Sequence, residues 1–412
     1  MYRIRGWMPL LLGVFCLLPA LEQAAWGGTL FFSPEAALRE ECDDNLFYDQ
    51  DKSADDFLTT LSLGLAGECR AERLKGSLFA GLDVLRYADH RELDDEDQKY
   101  RADLSWQWTE RLNLSGGGGF QRDSRPDRDL EETGLVLEPE RRDRWWVQGG
   151  AGYALTERLT GQFSFNYSES DFEGFESLDS EIFGWDLALV RAHDPTLKSR
   201  LVFQGGRYES FNEYQRSEVD YYSLQLGVSK ALGERWSFDV AGGARYSESE
   251  FETTTPLYYF LYPEWHLFAY RVDQSDSDDW GWTGALSVSY RDRYSELKFH
   301  FSHDLEPASG QTGATIRTSF GAVLSHRFTE ELTLFLSASY HINESEEGEY
   351  AGSAIDERIW WVQPRLSYRI TDDFSVEAGY LHSHREDRDD DYTSERNLVF
   401  CRLLWRHRYP LN

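Results

Sequence analysis

From Tyr153 to Tyr167 the chain reads Tyr-Ala-Leu-Thr-Glu-Arg-Leu-Thr-Gly-Gln-Phe-Ser-Phe-Asn-Tyr, and this layout constrains the fold more than any other feature. Beyond the polar knot Thr156-Glu157-Arg158, the residues Leu159, Gly161, Phe163, Phe165 and Tyr167 alternate with Thr160, Gln162, Ser164 and Asn166. A period of two gives a strand one oily face and one wet face. The unit recurs as Tyr100 to Trp108, Thr109-Glu110-Arg111, Leu112 to Phe120. It returns as Ile316 to His326, Thr329-Glu330-Glu331, Leu332 to Tyr340, and as Trp360 to Tyr368, Thr371-Asp372-Asp373, Phe374 to Tyr380. Strands that stand in lipid around a watery lumen need this pattern.

Counted from Leu38 to Phe47 at one end through Asn397 to Arg406 at the other, the segments predict an all-β chain. The expected form is a transmembrane antiparallel up-and-down β-barrel of about 18 strands, within about 16–20. Short connections (Thr109 to Arg111, Ala154 to Arg158, Thr329 to Glu331, Thr371 to Asp373) alternate with long acidic ones (Arg122 to Asp143, Glu169 to Glu181, Glu248 to Asp279, His341 to Glu357). Short periplasmic turns and long extracellular loops are the usual asymmetry of such barrels. Strands ending in Tyr87, Tyr167, Tyr208, Tyr246, Tyr340 and Tyr380 then finish at the external interface, and those ending in Trp108, Tyr153, Tyr290 and Tyr368 at the periplasmic one. These are two aromatic girdles. A soluble propeller also has short alternating strands, but it would repeat in blades and lack the short-long rhythm.

The N-terminus sets the compartment. Arg3 and Arg5 precede the apolar run Trp7 to Leu21, and Ala24-Ala25 follows, so residues 1–25 read as a cleaved secretory signal peptide and 26–412 as the barrel. The expected location is the bacterial outer membrane, in contact with its lipid and lipopolysaccharide. Aromatic residues make up 15% of the chain, which girdles would explain. A net charge of -31 argues against a nucleic-acid partner, because phosphates would be repelled. Cys42, Cys69 and Cys401 remain after the signal, too scattered for a disulfide scaffold or a zinc site. Barrel closure would bring the first strand beside the last, so Cys42 and Cys401 either staple that seam or stay as free thiols.

Ionisable residues on the wet faces are Arg101, Asp103, Asp186, Asp239, Arg245, Lys298, His300, Arg365, Arg369 and Glu377. They form either a mixed-sign ladder that solvates the lumen or a lining that selects which ions or sugars pass. Residues 248–279 are expected to form a long aromatic extracellular loop. Its centre carries Tyr258, Tyr259, Phe260, Tyr262, Trp265, Phe268 and Tyr270. Such a stretch is either a β-extension or rim hairpin packed on its neighbours, a constriction folded into the lumen, or a platform for stacking on sugar rings. No catalytic constellation and no metal site stands out, so the chain is not expected to be an enzyme or to need a cofactor. The acidic stretches Asp43-Asp44, Asp94 to Asp97, Glu344 to Glu349 and Asp387 to Asp391 would accept divalent cations, with solvated loop charge as the simpler reading.

The opening of the mature chain, Pro34 to Phe47 with Glu40-Glu41-Cys42-Asp43-Asp44-Asn45-Leu46-Phe47, resembles the start of a family of bacterial outer-membrane β-barrel porins. That family is often associated with exopolysaccharide export or exosortase-linked systems. The resemblance implies a channel for an exopolysaccharide or other hydrophilic solutes, acting by diffusion or in series with periplasmic polysaccharide-export proteins. A structural or surface-binding barrel with a filled lumen is the alternative, and a barrel-embedded enzyme the third. Two departures stand against the pattern: Cys42 in an exported strand, and the end Trp405-Arg-His-Arg-Tyr-Pro-Leu-Asn412, which lacks a terminal aromatic.

Overall fold

The alternation becomes a closed sheet. A computed structural model describes residues 28–50, 54–128, 130, 140–174, 177–261, 264–308, 313–345, 354–389 and 391–411. The first half of the chain forms β1 (Thr29–Asp43), β2 (Asp56–Arg70), β3 (Leu74–Tyr87), β4 (Asp95–Gln107), β5 (Leu112–Asp123), β6 (Arg142–Ala154), β7 (Leu159–Phe172), β8 (Asp179–Ala192) and β9 (Leu197–Phe211). The second half forms β10 (Gln215–Leu232), β11 (Trp236–Leu261), β12 (Glu264–Arg291), β13 (Ser295–Pro307), β14 (Ala314–Arg327), β15 (Leu332–Ser345), β16 (Ile355–Arg369), β17 (Phe374–Asp387) and β18 (Tyr392–Arg406). Every strand pairs antiparallel with its sequence neighbours, and β18 closes on β1 from Glu35↔Arg406 to Asp43↔Leu398. The result is an 18-strand up-and-down barrel. A short β19 (Tyr409–Leu411) continues the seam beside Leu30–Phe32, after a break that falls opposite Pro34, which has no amide to donate.

The recurrent Thr turns have a common chemistry. Thr156 Oγ1 accepts from the Leu159 and Arg158 amides at 3.1 and 3.3 Å. Thr109, Thr329 and Thr371 bind the amides two and three residues on in the same way. Asp194 and Asp292 do so with a carboxylate. A side-chain acceptor thus replaces the backbone partner that a reversing chain loses.

The outer face is an apolar band. In β11 and β12 it carries Trp236, Phe238, Val240 and Tyr246 beside Tyr290, Val288, Leu286, Trp282 and Trp280, in direct register. Trp236 meets Tyr290 at 4.8 Å at the end with short turns, and Tyr246 meets Trp280 at 5.1 Å at the end with long loops. Leu226 is 69% exposed and Trp280 71%. Apolar exposure of this extent and continuity calls for lipid.

Three expectations need correction. Residues 248–279 are not an irregular loop but the β-extension among the alternatives: β11 and β12 continue through them as a two-stranded ribbon, in register from Glu248↔Asp278 to Leu261↔Glu264 with one irregularity at Leu257/Tyr258. Only 262–263 separate the two strands. The alternation Ser247-Glu248-Ser249-Glu250 is polar on both faces, so hydropathy gave no strand signal where hydrogen bonding continues. The first strand begins at Thr29 and ends at Asp43, and the chain bends at 44 and turns at 46–47. The other external connections also shorten, because β7, β8, β15 and β16 run on past the aromatic level. The proposed signal peptide, 1–25, lies outside the described residues.

Candidate functional site

The candidate site is the lumen. Its half near the short turns holds a cavity of about 610 Å³ lined by Glu68, Arg70, Lys75, Asp103, Gln148 and Asn166, among others. The sequence-derived lumen residues sit on inward positions of the alternation, and most are tied to an opposite charge. Arg101 donates to Asp103 at 2.6 and 3.2 Å. Asp239 receives both arms of Arg200 at 2.5 and 2.6 Å. Glu377 lies between Arg365 and Arg402 at 3.8 and 3.9 Å, and Lys298 meets Glu296 at 3.0 Å. Asp186 accepts from Ser164. Arg245, 1% exposed, faces Asp304 at 3.8 Å and lies across Gly281, where any Cβ would fall 2.5 Å from its guanidinium. A side chain at 281 would have to displace that guanidinium. The wall is therefore polar but largely self-neutralised.

The half near the long loops is narrowed from two sides. The segment after β5 is read from sequence as a polar external loop, yet it folds inward across the lumen. Arg125 reaches Glu41 of β1 at 2.6 Å and grips Asp127 at 2.9 and 3.0 Å. Arg396 of β18 donates to Asp127 at 3.0 Å, to Asp43 at 2.8 and 3.0 Å, and to the Tyr48 hydroxyl at 3.1 Å. Burial alone would raise the Asp127 carboxyl, but Arg125 and Arg396 hold it far below the ordinary carboxylate range. Leu130 packs with Tyr48 on Ile359, Trp361, Leu381, Leu398 and Phe400, an apolar cluster on the inner faces of β16, β17 and β18. Tyr48 holds a left-handed backbone, φ 59°, rare for a side chain of this size and maintained by these contacts.

From the other side the ends of β13 and β14 lean onto the wall of β9 and β10. Leu305 and Ala314 pack on Tyr208 and Val219. The Tyr208 hydroxyl donates to the Leu305 carbonyl at 3.2 Å, and the Gly313 amide to Ser210 Oγ at 2.8 Å. Beside it lies a cavity of about 290 Å³ with Arg142, Arg144, Asp304, Glu306 and Arg317 among its lining. Sequence reasoning missed Arg125, Asp127, Leu130 and Arg396. On β18 the signal was obscured because Leu398 and Phe400 are inward and apolar, like the outward Val399, so the alternation that marks an inner face is lost.

Of the aromatic set, Tyr270 is 56% exposed on the β11–β12 ribbon, away from the lumen. The side chains of Tyr258, Tyr259, Phe260, Trp265 and Phe268, and all of Tyr262, lie outside the described residues. In the acidic stretches, Asp43 is bound by Arg396 and Asp95 by Arg141. Cys42 and Cys401 are free thiols. Cys42 opposes Val399 and Cys401 opposes Glu40, so the two are diagonal neighbours. Diagonal positions lie roughly 7–8 Å apart, beyond the roughly 4.4–6.8 Å a disulfide spans.

No family model and no curated protein matches the sequence. Solved structures do show likeness. A BenF-like porin from Pseudomonas fluorescens matches at 10% identity and TM-score 0.44, covering 92% of this chain and 98% of that one. OpdK from Pseudomonas aeruginosa, solved with vanillate, matches at 9% and 0.42, covering 92% and 99%. OccAB4 from Acinetobacter baumannii matches at 8% and 0.42, covering 93% and 98%. The likeness is one of strand architecture.

Proposed function

We propose that this chain is an outer-membrane channel that passes small hydrophilic solutes by diffusion, with its short turns in the periplasm and its long loops outside. The observation that carries this reading is the pairing of an apolar outer band with a polar lumen that holds a cavity of about 610 Å³. A barrel of about eighteen strands is wide enough for an aqueous path. The two inward segments narrow that path from the external side, which favours small solutes over a polysaccharide chain. The self-neutralised wall favours weak preference between ions.

The same inward segments favour one rival, a structural barrel with a filled lumen. Reconstitution of the folded protein into planar bilayers separates the two. Discrete conductance steps are expected. A correctly folded, membrane-inserted barrel that passes no current overturns the channel reading in favour of the filled barrel.

A further inference from the structure

The ribbon formed by β11 and β12 has an open side. β10 accompanies β11 as far as Gln215↔Thr253, whereas β13 leaves β12 at Gly284↔His303. Beyond that point β13 turns inward, carrying Leu305 to Tyr208 and Val219. Over Glu264–Asp278, therefore, β12 has a strand partner on one side only among the described residues. That is an edge of 15 residues, about 50 Å at roughly 3.3 Å each. Exposed edges are templates for pairing and are usually blunted by lysine, proline, bulges or a covering segment. From Val272 to Asp278 this edge has neither lysine nor proline, and the ribbon's one irregularity lies near its tip.

The chemistry of the edge selects its partner. On the outer face Glu248 opposes Asp278 and Glu250 opposes Asp276, directly across the ribbon. None of these four carboxylates makes an ion pair among the described residues, although Tyr246 donates to Glu248 at 2.8 Å. Like charges placed directly opposite are destabilising. Two copies of the chain joining β12 to β12 would add further aspartates to that repulsion, so the edge disfavours itself. On the opposite face β12 presents the small side chains Ser275 and Ser277, beside Phe251 and Ser249 of β11. Below the carboxylates stand Trp280 and Trp282, 71% and 53% exposed, whose rings accept cations.

We propose that the free edge of β12 is a docking rail for a partner protein, which adds an extended segment bearing Lys or Arg at alternate positions and small residues between. Backbone pairing supplies the register, and the basic side chains meet Asp276 and Asp278 of β12, with Glu248 and Glu250 one strand further on adding to the negative field. The rail operates whether or not the barrel conducts.

The test uses the full-length barrel in detergent and a labelled twelve-residue peptide of alternating Lys and Thr. Its controls are a Glu-Thr peptide and a Lys-Thr peptide methylated on alternate backbone nitrogens. Expected are saturable binding of the Lys-Thr peptide, slowed hydrogen exchange over 264–278, and at least tenfold weaker binding of both controls. The variant Asp276→Lys/Asp278→Lys should also lose at least tenfold, and Asp276→Asn/Asp278→Asn less. Retained heat-modifiable gel mobility shows that each variant is folded. Equal binding of the methylated peptide would reduce the effect to charge alone and overturn strand addition. Absence of exchange protection, or a dimer of the wild-type chain that dissociates in the lysine variant, overturns the proposal as well.

Discussion

At the scale of single residues the loop end of the lumen is governed by buried charge. Arg396 satisfies Asp43, Asp127 and Tyr48 together. Replacing it by methionine keeps much of the bulk, strands the buried Asp43 carboxylate and leaves Asp127 to Arg125 alone; breaking a buried pair typically costs about 3–5 kcal/mol. Arg396→Met should lower the urea midpoint in detergent accordingly and, by releasing the inward segment, raise single-channel conductance; an unaltered midpoint would argue against the network. Asp97 gives a pH signature. It lies beyond the apolar band, accepts from Ser124 at 3.0 Å, and burial, with Asp123, Asp95 and Asp83 nearby, pushes its carboxyl from 3.8 up to about 7. The folded state therefore holds a proton that the unfolded chain has released. Its contribution to stability is full below the unfolded value and is lost as pH rises to about 7. Asp97→Asn should flatten the fall in urea midpoint between pH 4 and 7, and a slope identical to wild type would refute the assignment.

At the scale of elements, the strands follow from alternation and the turns from Thr and Asp acceptors, and both were legible in the sequence. Strand ends were not. Hydropathy stops at the aromatic level because lipid stops there, while β11 and β12 continue on backbone pairing. Since the ribbon stands beyond β10 and its described tip-side residues Leu257 and Tyr270 are exposed, deleting 257–268 should leave single-channel conductance unchanged. Larger steps after that deletion would mean that the tip constricts the path after all. The lumen wall makes a second prediction at this scale. Asp103 and Asp239 neutralise Arg101 and Arg200, so the triple change Asp103→Ala, Asp186→Ala and Asp239→Ala leaves those arginines uncompensated. Reversal potentials in a salt gradient should move toward anion preference, and no movement would show that these groups stay clear of the ion path.

At the scale of the whole molecule, closure makes the barrel one cooperative object. The seam of β1 with β18 is held by ladder hydrogen bonds, by Arg406 on Glu35 and by Arg396 on Asp43, with no help from Cys42 and Cys401. Both thiols should therefore titrate as free in the unfolded protein under non-reducing conditions; loss of both as a pair would indicate a seam disulfide.

The barrel class, its strand number and the two aromatic levels are properties of local order. A strand's two faces, its turn and its interface residue all lie within about fifteen positions, so the amino-acid sequence by itself determined them. What narrows the lumen depends on residues far apart in the chain, such as Arg125 with Glu41 and Asp127 with Arg396. No periodicity records such contacts, because they arise only when closure brings β1 and β18 within reach of a loop that leaves β5. The free edge of β12 has the same origin: it exists because β13 turns inward, and only the tertiary structure decided that.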